Sequence, residues 1–174
     1  MKPNPSIVNA FLRPLPFFAA VAWTIISVQG PCVFAAGLEE KSIPAIQHYN
    51  LDADKVALQG YDPVGYITQS KALKGQKEIT ASCRGVAYYF ATEENRKLFV
   101  ASPDKFLPAY GGWCATAMAK GKKVEIDPTN FKVTNGRLFL FFKAFYANAI
   151  KDWNNDEPGL TGKADANWKK ISGE

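Results

Sequence analysis

The residues whose types and spacing could do chemistry lie between Pro108 and Met118, which reads Pro-Ala-Tyr-Gly-Gly-Trp-Cys-Ala-Thr-Ala-Met. If Trp113 to Ala119 forms a short helix, Cys114 and Met118 are four apart and share one face. A thiolate beside a thioether is a soft donor pair of the kind that suits Cu(I). A thiol in the first turn of a helix has a lowered pKa, which favours the metal-binding thiolate. Cys83 completes the set if its own hairpin folds over that helix. Two other readings use the same residues. Cys and Met are both usual in cores and can simply pack. Cys83 and Cys114 can also form a disulfide, if the geometry allows it.

Other reactive side chains are isolated in the sequence. His48 is the single histidine, so a dedicated imidazole site is not expected and a surface or packing role is. Asp62 and Asp127 each precede a proline and suit turn residues that hydrogen-bond their own backbone. No Cys-x-x-Cys, nucleophile beside a base or glycine-rich phosphate loop occurs, so enzymatic activity is not expected. Lys120-Gly121-Lys122-Lys123 is the one basic cluster. Without aromatic interleaving it reads as a solvated turn, and no nucleic-acid partner is expected.

The elements that must position these residues alternate between hairpins and short helices. Gly111-Gly112 allow a sharp turn into the Cys114 helix, and Gly121 stops it. Glu78 to Ala81 and Val86 to Phe90 read as strands joined by Cys83-Arg84-Gly85. Thr92, followed by Glu93 and Glu94, starts a helix to about Ala101, with one more turn at Asp104 to Leu107. Phe131 to Thr134 and Arg137 to Phe142 flank Asn135-Gly136, the strongest hairpin signal in the chain. The second of these strands is apolar on both faces, so it should be covered on both sides. Val64 to Thr68 reads as a short strand after the Asp62-Pro63 turn. Ala144 to Asn154 reads as a helix with Phe145, Ala149 and Trp153 on one stripe. Glu157-Pro158-Gly159 breaks it, and the tail docks Trp168 through a short turn. The fold class this predicts is α+β, with small antiparallel hairpins packed with short helices.

The 174-residue length suits one domain, and 47% apolar with 21% charged residues describes a globular chain. Residues 1–35 read as a signal peptide. Lys2 and Arg13 supply positive charge, Leu15 to Val28 is apolar, and Val33-Phe34-Ala35 offers a cleavage site. The apolar run is shorter than the ~20 residues that span a bilayer, so the mature chain is not expected to be membrane-embedded. A periplasmic or secreted location follows, with residues 36–49 as a flexible lead-in and 50–172 as the domain. Cleavage after Ala35 removes Cys32. It also takes Lys plus Arg from 21 to 19 against 16 acids and the net charge from +5 to +3.

Taken together, the chain resembles the YHS-domain family in its exported single-domain form. The matching stretches are Val56 to Val64, Tyr88-Tyr89-Phe90 with Glu94 to Phe99, and Ser102 to Pro108. Tyr110 to Ala115 and Ala164-Asp165-Ala166-Asn167-Trp168 complete them. The resemblance implies a small α+β module of a kind often attached to heavy-metal transporters and described as metal-binding. In those versions a cysteine follows Asp-Pro-Val, where this chain has Gly65, and further cysteines follow the hairpin, where it has Ala91-Thr92. Only Cys114 lies in a stretch typical of the exported form. The two functions carried forward are an exported soft-metal (copper) binding module and a non-catalytic binding or structural module.

Overall fold

The structure, a computed structural model, describes residues 32–33 and 44–173. The signal-peptide reading of residues 1–35 therefore falls outside the described residues, apart from Cys32–Val33. The fold is α+β, as the alternating pattern predicts. A three-stranded antiparallel sheet holds β1 (Cys32–Val33), β2 (Gln76–Cys83) and β3 (Val86–Phe90). A second, two-stranded sheet holds β4 (Asp127–Thr134) and β5 (Arg137–Phe141), and a third holds β6 (Lys143–Ala144) and β7 (Ala147–Asn148). The helices are α1 (Pro63–Gln69), α2 (Glu93–Ala101), α3 (Ala115–Met118), α4 (Ala149–Asn155) and α5 (Glu157–Ser172).

Both expected hairpins form at their predicted turns. Asn135 and Gly136 take φ of 52° and 75°, and Arg84 and Gly85 take 52° and 76°. Positive φ at both central residues matches the right-handed twist of the flanking strands. Thr92 caps α2 as predicted, its hydroxyl accepting from the Asn95 N–H at 3.2 Å. The buried stripe of α2 is Asn95 and Phe99, however, while Leu98 is 48% exposed.

Three segments differ from the sequence reading. Val64 to Thr68 lies in α1, not a strand. Asp62 caps that helix and Pro63 occupies its first turn, where a missing N–H and a fixed φ cause no loss. The Asp62 carboxylate does more than cap. It is fully buried and accepts from the Val64 N–H (2.8 Å), the Ala91 N–H (2.8 Å) and the Asn95 side chain (2.6 Å). One acid thus makes the own-turn bond expected of it and also ties α1, the end of β3 and α2 together. Asp127-Pro128 opens β4, and there the Asp127 carboxylate accepts from the Thr129 N–H (2.8 Å), the own-backbone bond its sequence suggests; the β4–β5 register shifts between Asp127 and Phe131.

The second and third differences lie at the C-terminal end. Ala144 to Asn154 is not one helix: β6 and β7 form a hairpin with Phe145-Tyr146 at its tip, and α4 starts only at Ala149. The tail is not a short turn but α5, with 16 residues the longest helix among the described residues. Pro158 sits in its first turn and Asp156 caps it through the Gly159 N–H, so the Glu-Pro-Gly group starts a helix instead of only ending one.

β5 divides the interior. Leu138 and Leu140 join a core with Val64, Tyr66, Tyr88, Phe90, Phe99 and Cys114. Phe139 and Phe141 join a second core with Met118, Trp153, Ala164 and Trp168. Successive side chains of a strand point to opposite faces, so one apolar strand closes both. Coverage on both sides is as its sequence predicts.

Candidate functional site

The predicted sulfur site does not come together. Tyr110-Gly111-Gly112 run through left-handed backbone (φ of 58°, 58° and 87°), and Trp113 is extended. The helix begins only at Ala115, with Cys114 as its N-cap at φ −57°, ψ 118°. Cys114 is therefore outside the helix, and the shared-face argument for residues four apart fails. Cys114 is 1% exposed and packs in the first core, while Met118 is 0% exposed and packs in the second. The Met118 N–H does donate to the Cys114 carbonyl at 2.9 Å, but that bond joins backbones. Cys83 is disulfide-bonded and Cys114 is a free cysteine, so neither a Cys83 thiolate ligand nor a Cys83–Cys114 bridge occurs. The third cysteine of the chain, Cys32, is the register partner of Cys83 across β1 and β2. Among the described residues, no group of three or more His, Cys, Asp or Glu is placed to hold a metal.

His48 is half-buried, with its ring at the surface beside Gln47 and Lys123. Its carbonyl accepts from the Trp113 indole N–H at 2.6 Å, and its Nδ1 is 3.3 Å from the Lys123 ammonium. Residues 120–123 are all exposed, as expected of a solvated turn.

What the Gly-Gly segment builds instead is a groove of about 450 Å³. Its floor is Leu107 to Gly111. Tyr49, Trp168, Lys169, Arg84, Asp104, Arg137 and Asp165 line the groove as well. The backbone fixes this shape. A Cβ on Gly111 would lie 2.8 Å from the Trp168 ring and 3.1 Å from Tyr49, so only glycine lets these two aromatics close over the turn. Tyr49 and Trp168 meet edge to face at 5.8 Å. The Asn50 N–H donates to the Gly111 carbonyl at 2.8 Å and fastens the turn from its other side.

Tyr110 is a non-glycine residue in the left-handed region, which costs on the order of 1–2 kcal/mol. Its ring is 3% exposed and packs on Phe139, with centroids 6.0 Å apart. Its hydroxyl donates to Asp165 Oδ1 at 2.9 Å. Arg137 donates to the same carboxylate in a fork, 2.7 Å to Oδ1 and 3.2 Å to Oδ2. Its guanidinium also sits 5.0 Å from the centre of the Phe139 ring. Burial raises the Tyr110 pKa and the Asp165 bond raises it further, so the phenol stays protonated. Burial pushes Asp165 up, but the Arg137 and Tyr110 bonds outweigh it and leave its pKa below the usual carboxylate value. The Asp165 bond raises Arg137, against the opposing effect of burial. The triad holds a cation in a fixed pose at the groove rim. Arg84, also in the lining, pairs with Asp104 at 2.8 Å.

The stretch Ala164 to Trp168 gains a physical account here. Ala164 lets α5 approach the core, and Asp165 anchors Tyr110 and Arg137. Asn167 donates to the Met118 and Ala119 carbonyls, at 3.0 and 3.3 Å, and so closes the C-terminus of α3. Trp168 covers Gly111. Sequence reasoning missed Arg84, Arg137, Asp165 and Lys169 as site residues. Arg84 and Arg137 flank or form the two hairpin turns, and that position was their only signal.

No family model matches the chain, and no curated protein or solved structure matches it either.

Proposed function

We propose that this chain is a non-catalytic binding module of YHS-like type whose groove over Tyr110-Gly111 takes a small anionic ligand. The observation that carries this reading is the meeting, in one cavity, of Arg84, Arg137 and Lys169 with the Tyr49 and Trp168 rings, the three cations exceeding the two carboxylates, Asp104 and Asp165, paired with the arginines there. Arginine forks match the planar geometry of carboxylates and phosphates. The strained Tyr110 backbone is held in place by the Asp165 bond, and such strain gathers where a surface must be preorganised. An oxidising compartment fits the bonded Cys83, though not removal of Cys32 with a leader.

Amide chemical-shift titration with citrate and with inorganic phosphate tests the reading. The expected outcome is saturable shifts confined to residues 107–111, Arg84 and the Trp168 indole, abolished in an Arg84→Ser/Arg137→Ala double variant. Shifts that persist in that variant count against the groove.

One observation favours a second reading, a soft-metal (copper) module: Cys114 is the free cysteine, with the Met118 N–H bonded to its carbonyl. Binding there requires α3 to turn so that both sulfurs face one point. Titration of the reduced protein with Cu(I) against a competing chelator, repeated with Cys114→Ser and Met118→Leu, decides it. Equal binding by all three proteins removes this reading and leaves the first untouched.

A further inference from the structure

The β6–β7 hairpin has a tip that its own fold does not explain. Phe145 is 101% exposed and Tyr146 is 71% exposed. The two rings stand edge to face with centroids 4.9 Å apart, and Tyr146 leans toward Phe142 at 6.4 Å. Neither residue has positive φ, and a two-residue hairpin tip ordinarily calls for Asn, Asp or Gly. Turn chemistry therefore does not select these side chains, and neither does burial. The base of the hairpin is fixed. Asn130 donates to the Phe142 carbonyl (3.2 Å) and to Asn148 Oδ1 (2.9 Å), and the Ala149 N–H donates to the Phe142 carbonyl (3.0 Å). The rings are thus held out from the body on a short, anchored stalk.

We propose that this tip docks the protein on an anionic membrane surface, with Phe145 and Tyr146 inserted at the headgroup boundary. Size decides between a lipid and a protein occupant. Two aromatic rings bury about 150–250 Å² each, well short of the roughly 800 Å² per partner of a standard protein interface. The surface around them is polar, with exposed Lys143, Lys151 and Asp152, so a wider protein contact would have to bury charges. A bilayer interface takes the rings alone and leaves those side chains in water or among headgroups. Phe supplies the apolar insertion, and Tyr sits where its ring is buried and its hydroxyl is wet. Lys143 and Lys151 face the headgroups. Asp152, and Asp127 close to Lys143, offset part of their charge, so the aromatic pair is the main anchor and the lysines set lipid preference. Among the described residues no helix is long and apolar enough to cross a membrane, and this contact does not need one.

Co-sedimentation with vesicles tests the proposal. One set is phosphatidylcholine alone, and the other is phosphatidylcholine mixed with phosphatidylglycerol. The full chain is expected to pellet with the mixed vesicles and less with the neutral ones. Phe145→Ser/Tyr146→Ser should lower the bound fraction at least tenfold, with an unchanged thermal midpoint because neither ring supports the core. Lys143→Gln and Lys151→Gln should each weaken binding to the mixed vesicles by about fivefold. A Phe145→Trp probe should shift its emission to the blue only with vesicles present. No pelleting of the full chain, pelleting unchanged in the double variant, or equal binding to both compositions overturns the proposal. So does a dimer in size-exclusion chromatography that the double variant dissolves, since the tip would then be a contact between copies.

Discussion

The two faces of β5 offer a comparison within a single strand. On one face Leu138 and Leu140 pack with Tyr88, Phe90, Phe99 and Cys114, in a core closed by α1, α2 and the β2–β3 hairpin. The buried Asp62 carboxylate ties those same elements together. On the other face Phe139 and Phe141 pack with Trp153 and Trp168, in a core closed by α3, α4 and α5. Here the polar contacts, Tyr110 and Arg137 on Asp165 and Asn167 on the end of α3, lie around a centre filled by rings. The first face is organised around one buried carboxylate, and the second around Trp153. The groove opens at the seam: Tyr110 belongs to the second core, and Leu107 packs on the first. The division also runs between the two sulfur residues, with Cys114 in the first core and Met118 in the second.

The largest expected effect is on the ring-filled face. Trp153 is 0% exposed and lies 5.1 Å from the Phe139 ring and 5.6 Å from Phe141. Trp153→Ala should lower stability by about 3–5 kcal/mol in chemical denaturation. If the two cores are one cooperative unit, fluorescence and circular dichroism transitions stay coincident. Separate transitions would show that the faces fold independently, and the comparison would then describe two subdomains.

Leu140→Ala should cost about 2–5 kcal/mol, since Leu140 is 1% exposed on the other face. A loss well under 1 kcal/mol would show that the first core relies on its polar network and not on this strand.

Asp62→Ala probes that network directly. A buried backbone donor at Val64, a half-buried one at Ala91 and the Asn95 amide lose their acceptor, at about 1–3 kcal/mol for each group left unsatisfied. The expected total is about 3 kcal/mol, the low end for three groups because water can reach Ala91, with lost hydrogen-exchange protection at Val64 and Ala91. Full retention of protection there would mean that the first face is held by packing alone.

Smaller effects belong to the seam. The Asp165 pKa lies below its ordinary value of 3.8. A depressed carboxylate adds stability that is fully present above the unfolded pKa and is lost as pH falls through the folded one. The contribution of Asp165 should thus disappear below about pH 3.8, and Asp165→Asn should flatten stability against pH in that acid range only. At neutral pH the exposed Arg137–Asp165 pair is worth about 1 kcal/mol or less. Smallest of all, Met118→Leu should cost under about 1.5 kcal/mol as a swap of similar volume. A thiol count on unreduced, denatured protein should give a single reactive cysteine. Cleavage after Ala35 would leave Cys83 and Cys114 as the only cysteines. A bonded Cys83 with a free Cys114 in the same molecule, and that cleavage site, therefore exclude each other, and the intact mass shows which holds.

By itself the sequence determined what depends on near neighbours. Asn135-Gly136 and Arg84-Gly85 set two hairpins through the φ their turns require, and Thr92 with Glu93 and Glu94 started α2. The unbroken apolar run of β5 announced that both its faces are covered. What failed in local reading were segments with two workable local answers. Pro63 to Gln69 and Glu157 to Ser172 carry helix-starting prolines that read equally well as turn residues. Ala144 to Asn154 fits a helical stripe until Ala149 is fastened to Phe142 and the chain ahead of it must reverse. Only the tertiary structure decided the groove, because Arg84, Arg137 and Asp165 are far apart in sequence and meet through two hairpins and a helix. It alone separated Cys114 from Met118 as well: three successive left-handed residues delay the helix past Cys114, and spacing in a sequence cannot show where a helix begins.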